Sequence, residues 1–381
     1  MTIALTNARV LLDDGFVDDR AVLVEGARIT AIVPLSDPRV AVARAHDLRG
    51  NYLVPGFVDC QVNGGGGALF NDDPGLDTIR TIAAAHRRFG TTALLPTLIS
   101  EDFRMISRAI AAVREALHAR VPGVAGIHIE GPFINDARRG VHDASKIRSL
   151  DARDVALLSS LGAGRTLVTL APEMVDGASL AELARAGVVL SAGHTDGTFE
   201  EVSAALKNGV RGVTHLFNAM SPMHHREPGA AGAALADPDC WCGLIVDGRH
   251  VHPAVLKIAL AAKRADRFML VTDAMPSVGA QQDSFMLQGR RIHVSDGTCV
   301  DENGTLAGSA VDMATSVRNC VEMLHLPLER AARMASTYPA QFLGLDGEMG
   351  RIAPGYRANL VALDARLHAS NTWIDGEAGG K

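Results

Sequence analysis

Two histidines and two carboxylates recur in one local setting along the middle of this chain. His194 follows Ser191-Ala192-Gly193, His215 follows Val213-Thr214, and Asp273 follows Val271-Thr272. Upstream, Glu130 ends the run Gly126-Ile127-His128-Ile129 and precedes Gly131-Pro132. In each case an apolar, largely β-branched stretch leads to one polar residue, as expected where a buried strand emerges. Taken singly, such residues are more often caps or rim side chains, Glu130 at its turn and Asp273 at a following helix. Taken together they carry chemistry. A Glu/His/His set holds a divalent ion and leaves one coordination position open, and an unspent Asp beside it can take and return a proton. Metal-assisted hydrolysis is therefore expected, with Glu130, His194 and His215 as ligands and Asp273 as proton carrier.

Those residues need elements that bring them to one place. Eight strand-like runs can be counted, at 52–62, 91–98, 123–129, 166–170, 188–192, 210–216, 241–246 and 268–272, with helical patterns between most of them. Helices are expected at 179–186, 199–208, 311–324 and 328–343. Alternation of this kind predicts an α/β chain, a (β/α)8 TIM-type barrel whose chemistry sits at the carboxyl ends of its strands. Residues 285–300 break the rhythm and read as an inserted hairpin turning at Asp296-Gly297. Residues 1–53 and the last thirty or so carry strand-and-turn grammar only. They predict a small β-sandwich domain built from both ends of the chain, 1–53 plus 348–381, around a catalytic barrel of 54–347. The polar, glycine-rich tail from Ala369 is expected to fray.

Composition narrows the partners. The 381 residues are 47% hydrophobic and 21% charged, with a net charge of −6 and no basic block. Nucleic acid and anionic membrane are not expected. No apolar run approaches the roughly 20 residues of a membrane span, and the start has no signal-peptide grammar. The five cysteines, including Cys240-Trp241-Cys242, lack zinc-ribbon or redox spacing and read as free thiols of a cytoplasmic protein. The run Gly64 to Gly67 has neither the spacing nor the lysine of a nucleotide loop, and is expected to let backbone approach the barrel mouth.

Pro55-Gly56-Phe57-Val58-Asp59 and Pro354-Gly355 followed by Ala358-Asn359-Leu360-Val361 resemble the amidohydrolase superfamily. Within it, Gln61 to Gly67, His128 to Pro132, Ser191 to His194, Thr214 to Met220, Arg226 to Gly229 and Asp301 to Leu306 resemble the N-acetylglucosamine-6-phosphate deacetylases, in order along nearly the whole chain. The resemblance implies hydrolysis of the N-acetyl group of a sugar phosphate, with the galactosamine epimer or a cyclic amide as alternatives. It assigns His142 to the acetyl carbonyl, Arg226 and His250 to phosphate, and Val141, Asn218, Ala219, Leu306, Ala307 and Gly308 to further substrate contacts. It also implies a homodimer in which one phosphate contact comes from the neighbouring subunit. Many amidohydrolases carry His-x-His where this chain has Gln61-Val62-Asn63. Amides are weak zinc ligands, so one divalent ion per subunit is expected, zinc first, with iron, manganese or cobalt also accepted by the donor set.

Overall fold

The computed structural model describes residues 1–295 and 297–379. Its centre is a parallel sheet of eight strands: β1 (Phe57–Val62), β2 (Thr91–Ile99), β3 (Gly126–Glu130), β4 (Arg165–Leu170), β5 (Val189–Ala192), β6 (Val210–Val213), β7 (Trp241–Leu244) and β8 (Phe268–Leu270). Each strand pairs in parallel with the next in sequence, from β1 through β8. Val62 also bridges in parallel to Ala274, just past β8, so the first and last strands meet at their carboxyl ends. The result is a nearly closed eight-stranded barrel. Its strands read as almost unbroken apolar runs because both faces are covered; all nine residues of β2 are buried.

The covering helices follow from their sequences. Phe103–His118 starts where the Asp102 side chain accepts from Met105 N, and turns Ile106, Ala109, Ile110, Val113 and Ala116 inward. Phe199–Lys207 opens on a reciprocal capping box between Thr198 and Glu201. The helix expected at 328–343 is two, Leu328–Ala335 and Thr337–Leu343, with Ser336 between them in a non-helical conformation.

Both ends of the chain enter a second, mixed sheet. Thr2–Leu12, Gly15–Glu25 and Arg28–Pro34 form an antiparallel meander. Tyr52–Pro55 lies parallel to the first of these and antiparallel to Leu360–Leu363, which then pairs with Ala369–Ile374. The tail from Ala369 therefore does not fray through its first residues. It is a paired strand, and Trp373 is buried against Leu5, Val10, Val22, Leu53 and Leu360. The run expected as one strand over 52–62 divides at Gly56, leaving Tyr52–Pro55 in the outer sheet and Phe57–Val62 in the barrel.

The insertion after β8 is larger than a hairpin. It is a four-stranded antiparallel sheet of Ser284–Leu287, Arg290–Ser295, Thr298–Asp301 and Leu306–Ser309. A turn at Gln288-Gly289 divides the segment expected as one strand; Asp296, in the expected turn, lies outside the described residues. Its buried face, with Leu287, Ile292, Cys299 and Ala307, packs with Leu69, Ile99, Val141 and Met275 over the carboxyl end of the barrel.

Candidate active site

Glu130 is the last residue of β3, and His194 and His215 each lie two residues past the ends of β5 and β6. Asp273 lies three residues past β8. Three of these four turn out of their strands through the left-handed backbone region, with φ of 48° at His194, 32° at His215 and 52° at Asp273. Side chains disfavour that region, and such conformations concentrate where a site requires a particular aim. Glu173 holds the His194 turn in place, accepting from Thr195 Oγ1 (2.5 Å), Asp196 N (2.7 Å) and Asn135 Nδ2 (3.0 Å).

The three ligand atoms converge. His194 Nε2 and His215 Nε2 stand 3.2 and 3.0 Å from Glu130 Oε1, and 3.2 Å from each other. Donors about 2.0–2.1 Å from a tetrahedral zinc are spaced roughly 3.3 Å apart, so the cluster has the dimensions of a metal site. His194 Nδ1 faces the Arg138 carbonyl at 2.9 Å, which can only accept, so the ring proton lies there. Its Nε2 lone pair therefore points at a carboxylate, an arrangement that a cation between them would stabilise. The residues fit a divalent ion. Against burial, the two imidazoles hold the Glu130 carboxyl well below the usual carboxylate range. The His215 Nδ1 atom is buried and has no hydrogen-bond partner among the described residues.

Gln61 and Asn63 stand at the carboxyl end of β1. Gln61 Nε2 donates to both Glu130 oxygens, at 3.0 and 3.1 Å, and to Asp273 Oδ1 at 3.1 Å. Asn63 Nδ2 donates to the same Asp273 oxygen at 2.6 Å. These amides pin one oxygen of Asp273 and leave the other free. Burial, then the charge of Glu130, pushes the Asp273 carboxyl up to about 6, a value suited to proton transfer near neutrality. The neighbouring glycines do admit close backbone: a Cβ on Gly64 would stand 2.5 Å from Ala68 O and 2.8 Å from Pro276 N.

A cavity of about 450 Å3 opens on this cluster. Asn63, Glu130, Val141, His142, His194, His215, Asn218, Ala219, His250, Asp273, Leu306 and Gly308 all line it, so most residues singled out from the sequence share one chamber. Ala307 lies between two lining residues with its own side chain buried in the inserted sheet. Arg226 is not among the lining residues; it sits on an exposed loop with His224 and His225. His252 caps the helix Pro253–Ala262, its Nδ1 accepting from Ala254 N.

His142 and His250 are both held through Nδ1. Buried His142, ring centroid 4.3 Å from that of His194, is kept well below the usual imidazole range by burial and by His194. His250 Nδ1 lies 2.6 Å from Asp247 Oδ2, and the other oxygen of Asp247 accepts from His250 N at 2.9 Å. Sequence reasoning missed Asp247 and Arg138. Asp247-Gly248-Arg249-His250 was a legible signal for the first, since an Asp three residues ahead readily turns back on its own backbone. No sequence signal pointed to Arg138, whose carbonyl rather than its side chain meets His194.

A parallel barrel with an open Glu/His/His site and an unspent carboxylate at the strand ends is the architecture of a metal-assisted hydrolase. The chain belongs to the amidohydrolase family, which it matches over residues 52–378. It is 43% identical over 325 residues to the N-acetylgalactosamine-6-phosphate deacetylase of Shewanella sp. (strain ANA-3), covering 85% of this chain and 82% of that one. To the N-acetylglucosamine-6-phosphate deacetylase of Haemophilus influenzae it is 34% identical, with 99% of each covered. The crystal structure of N-acetylglucosamine-6-phosphate deacetylase from Pasteurella multocida superimposes with a TM-score of 0.96 at 34% identity, over 100% of both chains.

Proposed function

We propose that this chain hydrolyses the N-acetyl group of N-acetylglucosamine 6-phosphate, giving glucosamine 6-phosphate and acetate. The observation that carries this reading is the convergence of Glu130, His194 and His215 beside Asp273 in a cavity also lined by His142 and His250. Glu130, His194 and His215 would hold one divalent ion, with zinc as the proposed metal. Such an ion acidifies bound water and polarises a carbonyl. Asp273, pinned through Oδ1, takes the attacking water's proton on its free oxygen and returns it to the departing nitrogen. His142 donates to the acetyl oxygen as charge develops there. Val141, Asn218, Ala219 and the Leu306–Gly308 segment line the sugar, while His250 and Arg226 receive the phosphate. An arginine fork suits phosphate oxygens. Because Arg226 lies outside its own chain's cavity, it is proposed to serve the neighbouring subunit of a homodimer.

The identity to the Shewanella enzyme supports a second reading, the galactosamine epimer, in the same site and by the same chemistry. Acetate release from both sugar phosphates separates them. Faster turnover of the gluco sugar supports the first reading, a large galacto preference replaces it with the second, and release from neither rejects both.

The sheet shared by both chain ends is proposed to form a sandwich-like domain of residues 1–53 and 348–381 beside a barrel of 54–347. The buried cluster joining Leu5, Val22, Leu360 and Trp373 supports that division. A cytoplasmic location is proposed because all five cysteines are free and buried. Among the described residues no helix is long and apolar enough to cross a membrane.

A further inference from the structure

His142 can polarise an acyl oxygen only if the ring nitrogen that faces the cavity carries a proton. A neutral imidazole has one proton for two nitrogens, so something must place it. The structure shows what does. Ser100 follows β2 and is fully buried. Its backbone N–H donates to His142 Nδ1 at 3.4 Å, and its Oγ lies 2.7 Å from the same nitrogen. A backbone N–H is a donor only, so Nδ1 must accept, and the Ser100 hydroxyl turns its own hydrogen to that nitrogen. The ring proton is left on Nε2, for which no described residue provides a hydrogen bond.

Two further features keep Ser100 in that place. Gln288, at the turn of the inserted sheet, donates through Nε2 to Ser100 O at 2.8 Å and accepts through Oε1 from Asp143 N at 2.8 Å. One side chain thus clips the end of β2 to the residue following His142. Gly131, immediately after Glu130, leaves space for the hydroxyl: a Cβ there would stand 2.3 Å from Ser100 Oγ. We propose that Ser100 is a positioning residue that fixes the Nε2–H tautomer of His142 and thereby arms it as the donor to the acetyl oxygen. This inference rests on the role given to His142 above. It also assigns a purpose to the insertion, which carries the clip.

The test reads the tautomer directly. Zinc-loaded protein labelled with 15N-histidine is compared with its His142→Gln variant to assign the His142 nitrogens. In the wild type, Nδ1 should show the downfield signal of an unprotonated nitrogen and Nε2 that of a protonated one. Ser100→Ala removes the 2.7 Å hydroxyl contact and leaves only the long 3.4 Å backbone one, so both signals should move part of the way toward each other as the second tautomer becomes populated. In the same variant kcat for the sugar phosphate should fall about tenfold with KM little changed, part of the ~10²–10³ lost when an oxyanion donor is removed outright. A protonated Nδ1 in the wild type overturns the proposal. So does a Ser100→Ala protein that loses only thermal stability while the nitrogen signals stay where they were. A wild-type protein releasing no acetate from either sugar phosphate sinks the functional reading alone, because the spectra still decide the tautomer.

Discussion

Asp273 and His215 sit within one chamber, yet the geometry separates their duties. His215 Nε2 belongs to the convergent cluster, whereas Asp273 is held by Gln61 and Asn63. His215→Ala should therefore lose bound metal and activity together, read by elemental analysis beside an acetate assay. Asp273→Asn is nearly isosteric but cannot take the water's proton, so turnover should fall by about 10²–10⁴ with the metal retained. Metal loss in that second variant would move Asp273 into the ligand set. Asp59 is a fully buried carboxylate with a different task. It accepts from Thr272 Oγ1 at 2.6 Å and from the backbone of Thr272 and Gln61, joining β1 to the strand end that carries Asp273. Burial pushes its carboxyl up to about 7 from 3.8. Between those values the folded state keeps a proton that the unfolded chain releases, so the contribution to stability is whole below pH 3.8 and is lost as pH rises through about 7. Its size is on the order of a few kcal/mol. Asp59→Asn mimics the protonated form, so its urea midpoint should drop less than the wild type's between pH 5 and pH 8. Parallel decline of the two proteins would place the pH dependence elsewhere.

At the scale of elements, the site depends on turns that sequence periodicity does not describe. The left-handed conformations at His194, His215 and Asp273 aim each side chain after its strand has ended, and Gly131 performs the same turn after Glu130 with φ of 78°. A Cβ at Gly131 would meet both an unfavourable backbone angle and the Ser100 hydroxyl. Gly131→Ala should cost about 1–3 kcal/mol in stability, visible as a lowered denaturation midpoint, and should reduce kcat more than KM. A variant with wild-type midpoint and kcat would show that the turn relaxes freely. The strands themselves were more easily read. Six of the eight barrel runs start within one residue of their expected positions; the first divides at Gly56, and Gly126–Glu130 begins later than expected.

Over the whole molecule, Arg226 stands apart from the other residues proposed to receive substrate, because it does not line the cavity. Its loop is exposed and the cavity closes without it. Arg226→Ala should weaken N-acetylglucosamine 6-phosphate binding by about 2 kcal/mol, the size of a charge-assisted hydrogen bond left unmade, and should leave the unphosphorylated sugar unaffected. If a neighbouring subunit supplies the contact, mixing Arg226→Ala protein with Asp273→Asn protein should restore activity. One site of the mixed dimer then combines an intact Asp273 with an intact partner arginine. No rescue, with subunit exchange confirmed by mass, would confine the phosphate site to one chain.

The sequence by itself determined the barrel's repeating units and the residue types at their ends. Strand and helix periodicity are local properties, and Glu130, His194, His215 and Asp273 each follow a run whose apolar pattern is complete without any distant contact. The tertiary structure alone decided what lies behind those residues. Ser100 and Gln288 are 188 positions apart, and Gln61 and Asp273 are separated by 212. Asp247 is local to His250, but its value lies in a ring that only the folded barrel turns into the cavity. The same reason explains the tail: Ala369–Ile374 looks polar and frayed alone, and becomes a strand because Leu360–Leu363 offers an unpaired edge. Hydrogen bonds between distant segments have no periodicity, so only the folded chain could specify them.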